Sequence, residues 1–217
     1  MGVHRIAVIS DTHGVVRDRV RDITDSCEVL CHCGDFDDSS TYGFFSALSQ
    51  PLYAVRGNAD RWQGADELEA SLQFELFGLR FFMTHKKADI PQDVSADVVL
   101  CGHTHRYEEY RRDGRLYLNP GASGAGRLFL PVTMAVLTVG DGISVQRIDL
   151  DSAVSDDVSQ VTVQLVKKIC RDVDRGYTAR EISERHAVDE SIAAQIARLY
   201  VTHPGVTPDG IMTKLGL

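Results

Sequence analysis

The segment "DVVLCGHTH" (residues 97–105) ends an apolar run with two histidines that are separated by one residue. Histidine is an unusual choice directly after a buried strand unless it has a function there. Outward along the chain, other apolar runs also end in side chains that offer an oxygen or nitrogen ligand: Asp11 and His13 after "RIAVIS", Asp35 after "EVLCHCG", Asn58 after "LYAVRG", and His85 after "RFFMT". This repeated order of strand and then ligand is the pattern from which the fold is predicted.

The apolar runs alternate with helical patterns in the first part of the chain. Helices are predicted at 15–26 and 41–49, between strands at 5–10, 28–35 and 52–58. This βαβαβ order is typical of a layered α/β protein. From about residue 72 strands follow one another around Gly78 and two Asp-Gly turns, which predicts a second sheet packed on the first, with helices outside.

The last third of the chain has helical patterns and no predicted strands. Residues 151–160 are polar and form a predicted linker, and 158–217 are predicted to be all helical. The helical signals are an apolar stripe, a capping box and two N-caps: Val161, Leu165, Ile169 and Val173, then Thr178 with Glu181, then Asp189, then Thr207 before Pro208. We therefore predict two domains, at 1–150 and 151–217.

Composition narrows the class of protein. The 217 residues carry a formal net charge of −8, which disfavours a general nucleic-acid binder because polyanion binding usually needs a basic face. No secretory leader is recognised, and no run approaches the roughly 18 apolar residues of a membrane helix. The five cysteines are odd in number and none forms a C-x-x-C pair. A soluble, cytoplasmic protein with reduced thiols and no membrane partner is expected.

The ligand-bearing residues are expected to converge, because the carboxyl ends of strands in α/β sheets share one edge. Two Asp, one Asn and four His without sulfur suit manganese, iron, zinc, nickel or cobalt. These seven ligands exceed the needs of one ion and fit two that share a carboxylate. If the segment after the strand is extended, His103 and His105 point the same way and serve one ion each.

Taken together, "SDTHG", "GDFD", "RGNAD", "MTH" and "GHTH" resemble the calcineurin-like metallophosphoesterase superfamily, over roughly residues 1–150. The small size and the "NPGAS" segment resemble its compact prokaryotic branch, the YfcE-like phosphodiesterases. The resemblance implies a four-layer αββα sandwich and a dinuclear site. One ion would be held by Asp11, His13, Asp35 and His105, and the second by the bridging Asp35 with Asn58, His85 and His103. Asp35, Asn58 and His103 are the implied catalytic residues.

The implied reaction is hydrolysis of a small phosphoester by a hydroxide that bridges two metal ions. Manganese is the first choice of metal. Many members have a histidine after the Asn as leaving-group acid, but this chain has Ala59, which favours diesters or good leaving groups. A structural role is favoured for Asp60 over an acid role. Two roles are considered equally for Arg56: binding the substrate phosphate, or bracing a neighbouring carboxylate.

Four further interpretations stay open from the sequence. Lys86 and Lys87 replace the Gly-His of the branch and are read as solvated surface, while Cys31 and Cys33 are read as buried thiols. The alternatives to a phosphodiesterase are a phosphomonoesterase on small substrates and a non-catalytic, protein-binding scaffold with the same fold. The helical tail is interpreted as a docking or dimerisation element in preference to a DNA-binding helix-turn-helix.

Overall fold

The computed structural model describes residues 2–124, 130–150, 161–215 and 217. These residues form ten strands: β1 (His4–Ile9), β2 (Val29–His32), β3 (Leu52–Ala54), β4 (Ser71–Leu76), β5 (Leu79–Thr84), β6 (Val98–Leu100), β7 (Tyr107–Arg112), β8 (Arg115–Pro120), β9 (Thr133–Val139) and β10 (Ile143–Asp149). They also form six α-helices: α1 (Asp18–Asp25), α2 (Ser39–Ser46), α3 (Val163–Asp174), α4 (Ala179–His186), α5 (Glu190–Thr202) and α6 (Pro208–Leu215). Contacts divide the chain into two compact units, the first with all ten strands and α1–α2, the second with α3–α6.

The first unit is built on two mixed five-stranded sheets. The first sheet has the order β10-β9-β1-β2-β3, with β1, β2 and β3 parallel. The second has the order β4-β5-β6-β8-β7, with β5, β6 and β8 parallel. The predicted α/β sandwich is therefore confirmed.

The main core lies between the two sheets. Strand β1 points Ile6 and Val8 into it, and β5 contributes Phe81 and Met83 from the facing sheet, all of them almost completely buried. The intervening Ala7 and Ile9 belong to a second core under α1 and α2. Both faces of β1 are thus covered, which explains a continuous apolar run in place of alternation.

The outer face of the second sheet has a thinner cover. Phe82 and Val99 pack there against Val94, Ala96 and the half-buried Ile90. The covering chain includes a single 3-10 turn, Lys87–Asp89, and no α-helix among the described residues. The fourth layer of the sandwich is consequently mostly irregular chain.

Several predicted boundaries are corrected. Helix α1 begins at Asp18, so Val15 and Val16 precede it and are exposed. Helix α2 begins earlier than predicted because the side chain of Asp38 accepts a hydrogen bond from the backbone N–H of Thr41. The third strand ends at Ala54, because the chain beyond it turns into a ligand-bearing loop.

The second unit is a helical cluster with its own core. Val166, Ile169, Ile182, Ile196 and Ile211 are fully buried in it. Two of the predicted caps are observed: Thr178 caps α4 in a capping box with Glu181, and Thr207 Oγ1 accepts a hydrogen bond from the backbone N–H of Gly210 at the start of α6. Helix α3 is capped by Thr162, which was not predicted. The predicted linker at 151–160 lies outside the described residues. The division into domains 1–150 and 151–217 stays a prediction.

No helix among the described residues has both the length and the apolar character needed to cross a lipid bilayer.

Candidate metal centre

The loops that follow the parallel strands of both sheets meet in the first unit. In register, Ile9 pairs with His32, and Met83 pairs with Leu100, so neighbouring strands end at similar levels. Two hydrogen bonds then join the sheets: His85 Nδ1 donates to the Cys33 carbonyl at 2.7 Å, and the His103 N–H donates to Asp11 Oδ2 at 3.0 Å.

Six of the seven predicted ligands lie in two groups of three. Asp11, His13 and His105 form the first group, and Asp35, His85 and His103 the second, with the ligand atoms of each group within 4.8 Å of one another. In the first group His105 Nε2 is 3.1 Å from both Asp11 Oδ1 and His13 Nε2. In the second, the rings of His85 and His103 meet edge to face at a centroid distance of 5.1 Å.

Asp35 belongs to the second group, and its carboxylate also lies near the first group. Its Oδ2 is 3.3 Å from His85 Nε2 and 3.9 Å from His13 Nε2. Its other oxygen, Oδ1, accepts a hydrogen bond from the backbone N–H of Ala59 at 2.8 Å. One carboxylate oxygen therefore faces histidines of both groups.

The backbone at the ligands is left-handed. Five predicted ligands have positive φ values: Asp11 (52°), His13 (46°), Asp35 (62°), His103 (71°) and His105 (60°). Such φ values are uncommon outside glycine, and strain of this kind clusters at functional sites. The expectation that His103 and His105 lie on an extended segment is wrong, because a tight turn, in which the Thr104 N–H donates to the Gly102 carbonyl at 2.9 Å, follows β6.

Hydrogen-bond acceptors beside two ligand histidines determine which ring nitrogen carries the proton. The Nδ1 of His85 faces a carbonyl and the Nδ1 of His13 faces the Asp37 carboxylate at 2.9 Å, and both acceptors require a proton on Nδ1. In its neutral form each ring then has its lone pair on Nε2, the atom that faces the group. Asp11 is oriented in the same way, because its Oδ2 accepts from Ser10 Oγ at 2.6 Å.

Two ligand atoms test directly whether the site fits a cation. Asp11 Oδ1 and His85 Nε2 are buried, and each lies close to another candidate ligand: His105 Nε2 is 3.1 Å from Asp11 Oδ1, and Asp35 Oδ2 is 3.3 Å from His85 Nε2. Neither atom has a further hydrogen-bond partner in the part of the chain that the structure describes. A divalent ion would satisfy both, and oxygen and nitrogen donors suit manganese, iron or zinc. The residues therefore fit a divalent metal ion.

Local charges keep the two carboxylates ionised. Burial raises the pKa of Asp11, but the hydrogen bond and charge of His105 outweigh burial and leave this pKa well below its usual range. Burial likewise raises the pKa of Asp35, but the hydrogen bond and charge of His85 bring this pKa below its ordinary value. For His85, burial lowers the pKa, but Asp35 and Asp11 raise it above its ordinary value. Both Asp side chains are thus available as anionic ligands at neutral pH.

Asn58 and Arg56, the other two predicted site residues, are exposed on the loop after β3. Gly57 between them packs so tightly on Asp35 that a Cβ there would lie 2.0 Å from Asp35 Oδ1. Asn58 therefore stands between two residues, Gly57 and Ala59, that contact the shared carboxylate. The Arg56 guanidinium has no ion-pair partner among the described residues, so bracing of a carboxylate, one of the two roles left open from the sequence, is not observed.

Asp60 is buried and accepts four backbone hydrogen bonds. Its Oδ1 accepts from the N–H groups of Phe36 (2.6 Å) and Asp37 (3.0 Å), and its Oδ2 accepts from those of Asp35 (3.0 Å) and Gly57 (2.7 Å). This side chain holds the β2 and β3 loops together, and both of its oxygens are occupied. The structural role favoured from the sequence matches these contacts.

Lys87 forms its contacts with residues that are not candidate metal ligands. Its ammonium group lies 2.7 Å from Glu108 Oε2 and 4.9 Å from the ring centre of Tyr110. This placement agrees with the interpretation as surface. Cys31 and Cys33 are both fully buried free thiols.

Two residues that position the site were missed from the sequence. The buried Asn119 donates through Nδ2 to the Gly102 carbonyl (2.8 Å) and Thr104 Oγ1 (3.0 Å), which braces the "GHTH" turn. The buried His32 accepts the Gly34 N–H and contacts Thr12 Oγ1 at 3.0 Å, which links the β1 and β2 loops. The asparagine in "NPGAS" was a usable signal, whereas His32 looked like any strand residue.

Comparison with known proteins places these features in a family. The family model described as the calcineurin-like phosphoesterase superfamily domain matches residues 5–142. A probable metallophosphoesterase from Methanothermobacter thermautotrophicus is 29% identical over 158 residues, which cover 65% of this chain and 90% of that protein. A phosphodiesterase from Methanocaldococcus jannaschii is 28% identical over 137 residues, covering 54% and 82% of the two chains.

Two solved structures show the shared fold. YfcE, a phosphoesterase from E. coli, aligns with a TM-score of 0.52 at 20% identity, covering 68% of this chain and all of that one (100%). Vacuolar protein sorting 29 from Cryptosporidium parvum aligns with a TM-score of 0.54 at 15% identity, covering 68% and 98%. At these identities the structural likeness concerns the fold alone.

Proposed function

The chain belongs to the calcineurin-like phosphoesterase superfamily, and on that premise we propose that it is a divalent-metal-dependent phosphodiesterase acting on small phosphodiesters. The observation that carries the proposal is the placement of Asp35 Oδ2 between the histidines of two ligand groups. A shared carboxylate is the usual feature of sites that hold two ions about 3.5–4 Å apart.

Each proposed ion has its own ligand set around the shared Asp35. Asp11, His13 and His105 would hold one ion with it, and Asn58, His85 and His103 would hold the other. Asp11 Oδ1 and His85 Nε2 support this assignment, one from each group, because each is buried beside another candidate ligand and has no further hydrogen-bond partner among the described residues. Asn58 is assigned from its loop position beside Asp35 and has the added role of contacting the substrate.

When bound, the two ions would supply a hydroxide nucleophile at neutral pH and stabilise charge on the phosphoryl oxygens. The protein's own part is to present two ionised carboxylates and to orient the imidazoles. Two divalent ions and two carboxylates leave a net positive site inside a chain of charge −8, and this local charge would attract an anionic ester. The exposed Arg56 is proposed to contact the substrate phosphate.

The preference for diesters rests on the two residues after Asn58. Ala59 has no proton to give, and both oxygens of Asp60 are occupied by backbone N–H groups. A reaction without a dedicated leaving-group acid favours esters whose leaving group departs easily. A relative that is named as a phosphodiesterase supports the same class.

We propose manganese as the metal, with iron, zinc, nickel and cobalt as alternatives, because the donor set has no sulfur. Five buried free cysteines agree with a proposed cytoplasmic location. The helical domain at 151–217 is proposed to act in docking or self-association.

The competing proposals are a phosphomonoesterase and a protein-binding scaffold. The likeness to vacuolar protein sorting 29 concerns the fold only. The complete pair of ligand groups favours an enzyme over a scaffold, since a scaffold needs neither ionised carboxylates nor oriented imidazoles.

The test is an assay of metal-restored hydrolysis. Chelator-treated protein is assayed on bis-p-nitrophenyl phosphate and p-nitrophenyl phosphate, with and without Mn²⁺, beside Asp35→Asn and His103→Ala. His203→Ala, which changes an exposed histidine of the second unit, is the matched control. We expect Mn²⁺ to restore diester hydrolysis in the wild type and control, and a loss of about 100-fold or more in both site variants.

The ratio of diester to monoester turnover separates the two enzyme proposals. Folded protein that hydrolyses neither ester with any of the five metals would support the scaffold. Full activity in Asp35→Asn would contradict the proposed shared ligand.

A further inference from the structure

The second unit contains a basic cleft that the proposed catalytic function does not use. Its volume is about 210 Å³, and it lies between α3 and α4, lined by Lys168, Arg171, Asp172, Arg175, Arg185 and His186. Four of its six lining residues are permanent cations and one is an acid. Residues 151–217 as a whole hold ten acids and eight bases, so half of the bases of this region line one small cleft.

The acid of the cleft, Asp172, is already neutralised. Its side chain is almost fully buried, with Oδ2 2.7 Å from His186 Nε2 and 3.3 Å from Arg185 Nε. Its other oxygen, Oδ1, is 3.3 Å from the NH1 nitrogen of Arg175. The Arg185 guanidinium also lies 5.0 Å from the ring centre of Tyr177. Asp172 therefore fixes two arginines in place, and each keeps further N–H groups for another acceptor.

Within the described part of the chain, the remaining two cations have no acidic partner. Among the residues that the structure describes, no carboxylate lies within ion-pair distance of Lys168 or Arg171, and both side chains are exposed. Four cations and Asp172 give the lining a formal charge of +3. The carboxyl ends of α3 and α4 contribute about −0.5 each, which still leaves about +2. A structural role, either at the helix ends or beside Asp172, therefore does not explain all four cations.

We propose that this cleft binds the doubly charged phosphate group of a small molecule, either inorganic phosphate or a phosphate monoester. The residual charge of the lining matches that of a dianion, and planar guanidinium groups bind phosphate oxygens in pairs. The four cations line a single small cleft, and residues 151–217 as a whole carry more acids than bases, which disfavours a nucleic acid as the ligand. This proposal rests on the second unit alone and does not depend on catalysis in the first.

The experiment uses the full chain after chelator treatment, so that no metal-bound phosphate contributes. Binding of inorganic phosphate, adenosine 5′-monophosphate and dimethyl phosphate is measured by titration calorimetry at about pH 8, where phosphate and its monoesters carry close to two charges. The test variant is Lys168→Gln with Arg171→Gln, chosen because neither side chain supports Asp172. The matched control is Lys167→Gln, an exposed lysine on α3 that does not line the cleft.

We expect saturable binding of phosphate or the monoester to wild type and control, about tenfold or more weaker in the double variant, and weaker still for the singly charged diester. Tighter binding of the nucleotide than of phosphate identifies an organic monoester as the ligand, and equal binding identifies phosphate itself. No saturable binding to the wild type, or equal binding to the wild type and the double variant, would overturn the proposal.

Discussion

Replacing Asp60 with asparagine tests how the candidate metal centre is held. The Asp60 carboxylate accepts four backbone N–H groups, two on each oxygen. Asparagine has nearly the same shape, but one of the two oxygens becomes an NH₂ group. Two of the four N–H donors would then face another donor, in a place from which water is excluded.

The size of the effect is set by those two groups. A buried donor that loses its acceptor costs about 1–3 kcal/mol, so Asp60→Asn is expected to lower the free energy of unfolding by about 2–6 kcal/mol. The same change loosens the backbone of Asp35 and Gly57, and loss of such outer contacts typically weakens metal binding about 10–100-fold.

Both quantities can be measured on one pair of proteins. Urea denaturation of the chelator-treated protein gives the unfolding free energy, and titration with Mn²⁺ gives the affinity. Asp66→Asn is the control, because Asp66 is exposed in the 3-10 turn Ala65–Glu67 and its replacement is expected to change stability by less than about 0.5 kcal/mol. If Asp60→Asn unfolds and binds Mn²⁺ as Asp66→Asn does, the four hydrogen bonds do not hold the site.

Substitutions at three other residues test the metal centre and the helical unit separately. Gly102→Ala would place a Cβ 1.9 Å from Ser10 Oγ, so it is expected to displace the Asp11 ligand and weaken Mn²⁺ binding, whereas Gly142→Ala, with nothing within 4 Å, should leave calorimetric Mn²⁺ affinity unchanged. The hydrogen bond of His186 and the charge of Arg185 lower the pKa of Asp172, so its stabilising effect is present above the unfolded pKa of about 3.9 and lost as pH falls through the lower native pKa. The difference in melting temperature between wild type and Asp172→Asn should therefore disappear in acid, and a difference that persists there would contradict the assignment. Thr178→Ala removes the capping box of α4 and should cost about 1 kcal/mol in urea denaturation, and no change would mean that the cap does not stabilise the unit.

The strand-and-ligand order was readable from the sequence because it depends on two simple facts. Buried parallel strands are continuous apolar runs, and their carboxyl ends share an edge. The positions of Asp11, Asp35 and His85 can be inferred from those facts alone. The Asp-Gly turns and the Thr178 cap could be predicted as well, since each depends on only a few neighbouring residues.

Tertiary features account for the parts of the site that the sequence did not reveal. The left-handed backbone at His103 and His105 has no propensity signal, because it is imposed by contacts such as the Asn119 side chain on the "GHTH" turn. Asp60 looked like a turn residue, since its four donors come from two separate loops. The basic cleft was invisible because Lys168 and Arg185 lie on different helices.

The contact between His13 and His105 joins residues that are 92 positions apart. A nascent chain cannot complete either ligand group until the "GHTH" turn has been synthesised and β6 has paired within its sheet. Non-local pairings of this kind form slowly, so a high-affinity metal site is a late product of folding. Any ion that binds only the finished site then adds to the stability of the native state in proportion to the logarithm of its concentration. Metal supply would thereby govern how long newly made molecules stay folded, before any substrate is met.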